Sequence, residues 1–264
     1  MDSVVDISFW QLALFSLTLL IPVSINHYYQ LSLGRDIVIG VLRMTIQLLA
    51  VGVYLEYLFQ LNSLWVNMLW LVLMIGIGSS SIISKAKLTK PYLFLPVTLG
   101  LTVSLVPLLI LICVVVVKPT PLYNAQYLIP LAGMLLGNCL SGNIVALQNL
   151  FTAYDERKHE YEAAISLGAT PIYASIPFMR AAMQKSFAPI LATMITTGLV
   201  TLPGMMTGQI LGGASPMVAI KYQLLIMIAI FVMMSVSITL SLRLTIARAI
   251  SQEGRILVTR IDKS

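Results

Sequence analysis

The chain has 264 residues, of which 58% are hydrophobic and only 10% are charged, and its mean hydropathy is +0.93. No water-soluble domain of this length has so few charged residues for its surface, so the composition excludes a soluble enzyme or binding module. It predicts an all-α integral membrane protein. The net charge of +6 follows from the placement of basic residues beside the membrane, without nucleic acid as a partner.

Apolar runs of about 20 residues, the length that crosses a bilayer as a helix, recur along the chain. They predict one transmembrane domain over residues 1–264, with seven spans. The spans are Ile7 to Tyr28, Ile37 to Phe59, Leu64 to Ser84, Tyr92 to Val117, Gln126 to Phe151, Phe187 to Gly212, and Tyr222 to Leu242.

The basic residues predict the orientation of these spans. With an external N-terminus, all but Lys118 and Lys221 of the 16 Lys and Arg residues lie on one face or, for Arg43, near it. Short cytoplasmic loops are rich in Lys and Arg, so we expect an external N-terminus and a cytoplasmic tail over about 244–264, in the cell (inner or plasma) membrane. Asp2 and Asp6 replace the basic start of a signal peptide, so the first span should be retained.

The second span contains three polar residues. Arg43 and Gln47 lie one helical turn apart, and we expect Arg43 to extend towards the cytoplasmic interface and Gln47 to line a translocation path. Glu56 falls near the opposite face of the helix, either as an anchor at the outer interface or as a pore carboxylate. Cys113 and Cys139 fall within spans and are expected to be free thiols.

Small and polar residues alternate in the fifth span. Gly133 and Gly137 are four residues apart, and Asn138 and Ser141 fall along one side. Such a pattern fits either a packing seam between helices or a face that lines the translocation path.

The sixth span is interrupted at Pro203 and Gly204, in the run L-P-G-M-M-T-G-Q. Broken helices at membrane depth commonly mark binding sites in transporters. We therefore expect the break to face Asn138, with Gly204 intolerant of substitution. A ridge of threonines that includes Thr197 and Thr201 leads to the break, and Gln209 is the last residue of the interrupted run.

Met205 and Met206 follow this break directly. Their thioethers are weak ligands that suit soft metals. The pair is therefore either a metal contact or part of the packing between helices.

A polar loop over about 152–186 separates the fifth and sixth spans. Lys158 and Glu162 form an i,i+4 pair within a short helix predicted from Glu156 to Leu167, and Gly168 is a natural left-handed helix stop. Thr170 and Pro171 then start a second helix as N-cap and first residue.

This loop resembles the cytoplasmic E-A-A-x-x-x-G loop of ABC transporter permeases, here Glu162, Ala163, Ala164 and Gly168. The resemblance implies that the loop, with charges from Glu156 and Lys158, docks into a groove on an ATPase. The proline of the importer pattern falls on Ala181, which is a departure from that pattern. An ordinary amphipathic loop helix between two spans is the alternative.

Three longer blocks resemble the Fet-type iron-export ABC permease family, which includes plant subunits linked to aluminium tolerance. They are P-L-A-G-M-L-L-G-N at 130–138, S-L-G-A-T-P at 166–171 and G-L-V-T-L-P-G-M-M-T-G-Q at 198–209. The family implies a permease that pairs with a separate cytoplasmic ATPase, acts as a homodimer surrounded by membrane lipid, and moves metal ions, above all iron, out of the cell.

The sequence contains no G-x-x-x-x-G-K-[ST] loop, so we expect the chain to bind no cofactor and its partner to use the ATP. No H-E-x-x-H or G-x-S-x-G motif indicates an enzyme. One alternative function is a stand-alone secondary transporter or channel, for which Arg43 and Glu56 are the candidate membrane charges. Another is a membrane scaffold or sensor that recruits a soluble protein through the same loop.

Overall fold

A computed structural model of the protein describes residues 7–251 and 254–258. Asp2 and Asp6, which argued against a signal peptide, lie outside the described residues, as do Arg260 and Lys263, which counted towards the predicted orientation. The described part of the chain is helical and has no strand, which confirms the predicted all-α membrane fold. Its helices are α1 (Phe9–Ser16), α2 (Leu20–Tyr28), α3 (Gly34–Leu61), α4 (Leu64–Lys85), α5 (Lys90–Leu111), α6 (Ala125–Glu156), α7 (Lys158–Ser166), α8 (Pro171–Thr196), α9 (Gly204–Leu211) and α10 (Pro216–Ala249).

Among the described residues, six helical segments are long and apolar enough to cross a membrane, and they match six of the seven predicted spans. A 3₁₀ turn (Leu17–Leu19) joins α1 to α2, and a π-helix (Ile112–Val117) extends α5. The remaining predicted span, 187–212, is not one helix. Its first part completes α8, which begins in the polar loop, and its last part is α9.

The break in this span begins before the predicted Pro203. Helix α8 ends at Thr196. Gly198 then has a φ of +88°, a backbone conformation that residues other than glycine rarely adopt. The Gly198 amide donates to the Thr201 carbonyl at 2.9 Å, which closes a tight loop. Thr197 and Thr201 therefore flank a turn, and the helical threonine ridge expected from their spacing does not form.

The core of the bundle is the contact between α5 and α10, with α4, α6 and α8 packed around it. Gly100 allows the close approach of these two helices. A methyl group at that position would lie 2.2 Å from Ser241 Oγ and 3.0 Å from the Ser237 carbonyl oxygen. Small residues therefore set the distance between the central helices, as expected where helices pack in lipid.

Polar contacts mark the two ends of the bundle. At the end that carries α7, the Gln148 side chain donates to the Lys85 carbonyl at 3.1 Å. At the opposite end, Asn62 Oδ1 accepts from the Ala125 amide at 3.0 Å, so the end of α3 and the beginning of α6 lie at one level.

Helices α1, α2 and α3 stand away from this bundle. In α3 the only buried residue is Leu58, and Tyr54 stacks on Trp70 of α4 with ring centroids 4.3 Å apart. These contacts join only the last turns of α3 to the bundle. Most of the apolar surface of α1, α2 and α3 therefore remains uncovered by the described part of the chain.

Candidate functional site

Helix α7 forms a corner at one end of the bundle. Arg157, with φ −115° and ψ 34°, interrupts the helix between α6 and α7. Glu156 is therefore the last residue of α6, and the prediction that it begins the short helix was wrong. The other boundary follows the sequence closely. Gly168 has φ +88°, its amide donates to the Ile165 carbonyl at 2.9 Å, and the Ala169 amide donates to the Ala164 carbonyl at 3.1 Å. This pair of bonds is a Schellman motif.

An aromatic cluster anchors α7 to the bundle. The Tyr154 ring stacks on Phe178 at 4.9 Å and meets the Tyr161 ring edge-on at 5.2 Å. The Arg157 guanidinium lies 4.9 Å from the centre of the Phe178 ring, a favourable cation–π position. The cluster therefore joins α6, α7 and α8 where the chain turns.

Arg157 also pairs with Glu160 through two hydrogen bonds, one of them between Nε and Oε1 at 2.9 Å. These bonds lower the pKa of the Glu160 carboxyl, and the charge of Arg157 acts in the same direction. Both groups are exposed to solvent, so the pair orders the start of α7 without adding much stability.

The segment after α10 returns to the inner side of α7. The Tyr161 hydroxyl donates to the Gly254 carbonyl at 3.1 Å, and Gly254 lies against the Ile165 side chain. Burial raises the pKa of Tyr161. The predicted cytoplasmic tail thus begins with residues that support α7.

The outer side of α7 presents a mixed surface. We call it the α7 surface and define it by Lys158, Glu162, Ala163, Leu167 and Tyr173. Lys158 Nζ and Glu162 Oε1 are 3.5 Å apart, and Leu167 and Tyr173 are 89% and 70% exposed. Glu156 is exposed nearby, while Ala164 packs inward against the core. An apolar protrusion with charges beside it is suited to a protein partner.

A polar cleft lies between α6 and α8 deeper in the bundle. Its volume is about 170 Å³, and its lining includes the buried Ser186 and three exposed polar residues, Asn138, Ser141 and Thr193. Each of the three exposed residues donates to a carbonyl of its own helix: Asn138 Nδ2 to Met134 at 2.9 Å, Ser141 to Asn138 at 2.9 Å, and Thr193 to Pro189 at 3.0 Å. The oxygen atoms of these three side chains remain available as acceptors.

A second cavity, of about 360 Å³, lies between α8, α9 and α10 and contains Met194, Met206, Met227, Thr197 and Gln223. Gln223 is 6% exposed, and its Oε1 atom makes no hydrogen bond within the described part of the chain. Three methionines and Gln223 therefore line a single space, and the unpaired Oε1 atom of Gln223 is buried beside it.

The two adjacent methionines are separated by the fold. Met206 lines the cavity, whereas Met205 packs against the bundle core. Gln209, also on α9, is half-buried, with an unpaired Oε1 in the described structure.

The predicted path residues do not form one continuous site in a single chain. Asn138 and Ser141 line the α6–α8 cleft, Thr197 and Met206 line the other cavity, and Gln47 lies on α3, outside both. We had expected the broken helix to face Asn138, but within one chain the two do not line the same cavity.

The predicted intolerance of Gly204 also has no basis within this chain. A methyl group there would meet no atom within 4 Å, and between α8 and α9 it is Gly198, not Gly204, that has a positive φ. Pro203 precedes α9 as its N-cap residue in extended conformation.

Sequence reasoning overlooked Gln223, which lies near the start of the predicted seventh span. A glutamine in an otherwise apolar span is itself the signal, since a polar group in lipid needs a partner or a cavity. The aromatic anchor at Tyr154, Tyr161 and Phe178 had no comparable signal, because its members come from three helices.

Within residues 7–251 and 254–258, no three His, Cys, Asp or Glu side chains come together as metal ligands.

A sequence profile of the family described as "Uncharacterised protein family (UPF0014)" matches residues 9–250. The chain belongs to the UPF0014 family. Its extent includes every helix described above, so the α7 corner and both cavities are parts of a UPF0014 domain.

Named relatives of this UPF0014 protein come from bacteria and plants. It is 37% identical over 188 residues to "UPF0014 membrane protein slr1647" of Synechocystis sp., covering 71% of this chain and 73% of that one. It is 29% identical over 259 residues to "Probable iron export permease protein FetB" of Escherichia coli, covering 96% of each. It is 31% identical over 209 residues to "Protein ALUMINUM SENSITIVE 3" of Arabidopsis thaliana, covering 79% and 75%. No solved structure matches the chain.

Proposed function

We propose that this UPF0014 protein is the membrane-spanning permease subunit of an ATP-driven metal exporter in the cell membrane, with iron as its substrate. Two copies form the translocation path, and each docks one copy of a separate ATPase on its α7 surface. The name of a relative that aligns over 96% of both chains, "Probable iron export permease protein FetB", supports the substrate and its direction.

The observation that carries the proposal is the construction of the α7 corner. A coupling element must transmit force, so it needs a rigid support and an exposed contact. The aromatic cluster and the Schellman motif provide the support, and Leu167 next to Gly168 provides the contact. The loops at this end are rich in Lys and Arg, which favours a cytoplasmic position for it.

Met206, with Met194 and Met227, is the proposed contact of the metal within the path, and Gln223 supplies an oxygen donor. Thioethers are weak ligands, and weak binding suits a path from which the ion must leave. ATP is bound by the partner, and in this proposal the chain itself holds no cofactor.

Inverted membrane vesicles from the native host test the proposal. With ⁵⁵Fe(II) outside, vesicles that contain the wild-type chain should accumulate iron with MgATP and not with MgADP, whereas vesicles from a deletion strain should not. Leu167→Asp should abolish this accumulation at unchanged expression, because it places a charge in the apolar contact. Leu122→Asp, an exposed leucine at the opposite end of the bundle, is the matched control. Equal accumulation with and without the chain would refute iron export, and full activity of Leu167→Asp would refute the docking site.

A further inference from the structure

Helix α3 carries two polar residues on one face at membrane depth. Arg43 and Gln47 are one turn apart and therefore neighbours on the helix surface. Both are exposed, and neither has a hydrogen bond or ion pair within the described residues. A guanidinium and an amide in hydrocarbon leave donors unsatisfied, so this face needs a polar surface to cover it.

The protein's own bundle does not cover this face. From Gly34 to Val53 no residue of α3 is buried, and the contact with the bundle is limited to the last turns around Tyr54 and Leu58. The hydrogen bond between Asn62 and Ala125 holds that end in place. The part of α3 with Arg43 and Gln47 therefore lies outside the bundle formed by α4, α5, α6, α8 and α10.

The α6–α8 cleft has the complementary chemistry. Asn138, Ser141 and Thr193 direct their donors to their own helices and leave oxygen acceptors facing the cleft. Arginine offers five N–H donors and no acceptor, and glutamine offers both. The cleft is also open, because these three residues are exposed.

The two surfaces lie at the same depth. Because Asn62 bonds to Ala125, distances along α3 from Leu61 and along α6 from Ala125 start at one level. At about 1.5 Å per residue, Gln47 lies about 21 Å and Arg43 about 27 Å from that level, while Asn138 lies about 20 Å and Ser141 about 24 Å from it.

We infer that α3 of one copy places Arg43 and Gln47 in the α6–α8 cleft of a second copy. The partner's residues complete a translocation path that a single chain leaves open on one side. A two-fold axis along the membrane normal leaves the depth of each residue in the membrane unchanged. Arg43 and Gln47 of one copy therefore lie at the depth of Asn138 and Ser141 in the other copy as well. The inference rests on the proposed function, in which two copies form the translocation path, and it specifies that the α6–α8 cleft belongs to that path and which helix of the partner lines it.

Cross-linking between differently tagged copies tests the inference. In a background with Cys113→Ala and Cys139→Ala, one copy carries Gln47→Cys and the other Ser141→Cys, and native membranes are treated with a short bis-maleimide. We expect a dimer band that carries both tags. Leu49→Cys in place of Gln47→Cys is the matched control, because it lies on the opposite side of α3, and its band should be at least about tenfold weaker.

A second pair, Gln47→Cys with Thr193→Cys, probes the other wall of the cleft and protects the test against a local effect of Ser141→Cys. Failure of both pairs, or bands as strong with Leu49→Cys, would overturn the inference. Cross-linking only within one doubly substituted chain would also overturn it, since α3 would then cover its own cleft. ATP-dependent uptake of ⁵⁵Fe(II) is measured separately on the wild type. Cross-linking without uptake would refute iron export alone. Uptake without cross-linking would refute the α3 contact alone.

Discussion

The Tyr161 hydroxyl donates a hydrogen bond to the Gly254 carbonyl oxygen at 3.1 Å, which joins the inner side of α7 to the segment after α10. Through this bond the last membrane-spanning helix supports the element that we propose to dock the ATPase. The end of α10 and the α7 corner should therefore open and close together.

Tyr161→Phe should loosen α7 without unfolding the bundle. Losing one partly buried hydrogen bond costs about 0.5–1.5 kcal/mol, so hydrogen exchange of the α7 amides in detergent should become about 2- to 10-fold faster. Tyr173→Phe is the matched control, because Tyr173 is exposed. Unchanged α7 exchange in Tyr161→Phe would show that the segment after α10 gives α7 no support.

Substitutions at Gly168 should follow backbone preference and not side-chain size. No atom lies within 4 Å of a methyl group at this position, but its φ is +88°. Gly168→Asn should be mild, and Gly168→Val should cost about 1–2 kcal/mol of α7 stability. The protection of the Ala169 amide against hydrogen exchange and the ATP-dependent iron uptake should both fall in the same order, less for Asn than for Val. Equal effects of Asn and Val would contradict the role of the Schellman motif.

Gly100 and Gly204 should differ sharply in tolerance. A methyl group at Gly100 would overlap Ser241 Oγ, whereas one at Gly204 meets open space. Gly100→Ala should destabilise the protein by about 1–3 kcal/mol, seen as a lower midpoint of thermal unfolding in detergent. Gly204→Ala should leave the midpoint unchanged. The reverse order would mean that α5 and α10 do not pack as described.

The Arg157–Glu160 pair should make the start of α7 sensitive to acid. Since the pKa of Glu160 is lowered in the folded protein, the contribution of the pair is complete above the ordinary carboxyl pKa of about 4.3 and is lost as pH falls through the lowered value. Exchange at the α7 amides, corrected for its intrinsic pH dependence, should rise below that range in the wild type. In Glu160→Gln it should not change with pH. An acid response of equal size in both proteins would assign it to another group.

The two adjacent methionines should behave differently. Met206→Leu removes a thioether from the cavity, whereas Met205→Leu changes a residue packed against the core, and both nearly conserve volume at a cost under about 1.5 kcal/mol. Under the proposed function, Met206→Leu should reduce ATP-dependent uptake of ⁵⁵Fe(II) in inverted vesicles severalfold, and Met205→Leu should not. Equal uptake in both variants would make Met206 a packing residue as well.

Local features of the α7 corner could be predicted from the sequence because each depends on neighbouring residues. Gly168 takes the left-handed conformation, the Thr170 hydroxyl caps α8 by accepting from the Tyr173 amide at 3.4 Å, and Lys158 lies beside Glu162. Glu156 was predicted to begin the short helix but is the last residue of α6, because the chain leaves helical geometry only at Arg157.

The sequence by itself determined that this is a helical membrane protein, where most of its spans begin and end, and that its longest polar loop forms a helical corner closed by Gly168. These properties follow from hydropathy and from backbone preferences that act over a few residues. Only the tertiary structure decided that Met205 and Met206 separate, that Gln223 lines the same cavity as Met206, that Gly254 supports Tyr161, and that most of α3 lies outside the bundle. Each of these depends on which faces of distant helices meet, and packing between helices decides that.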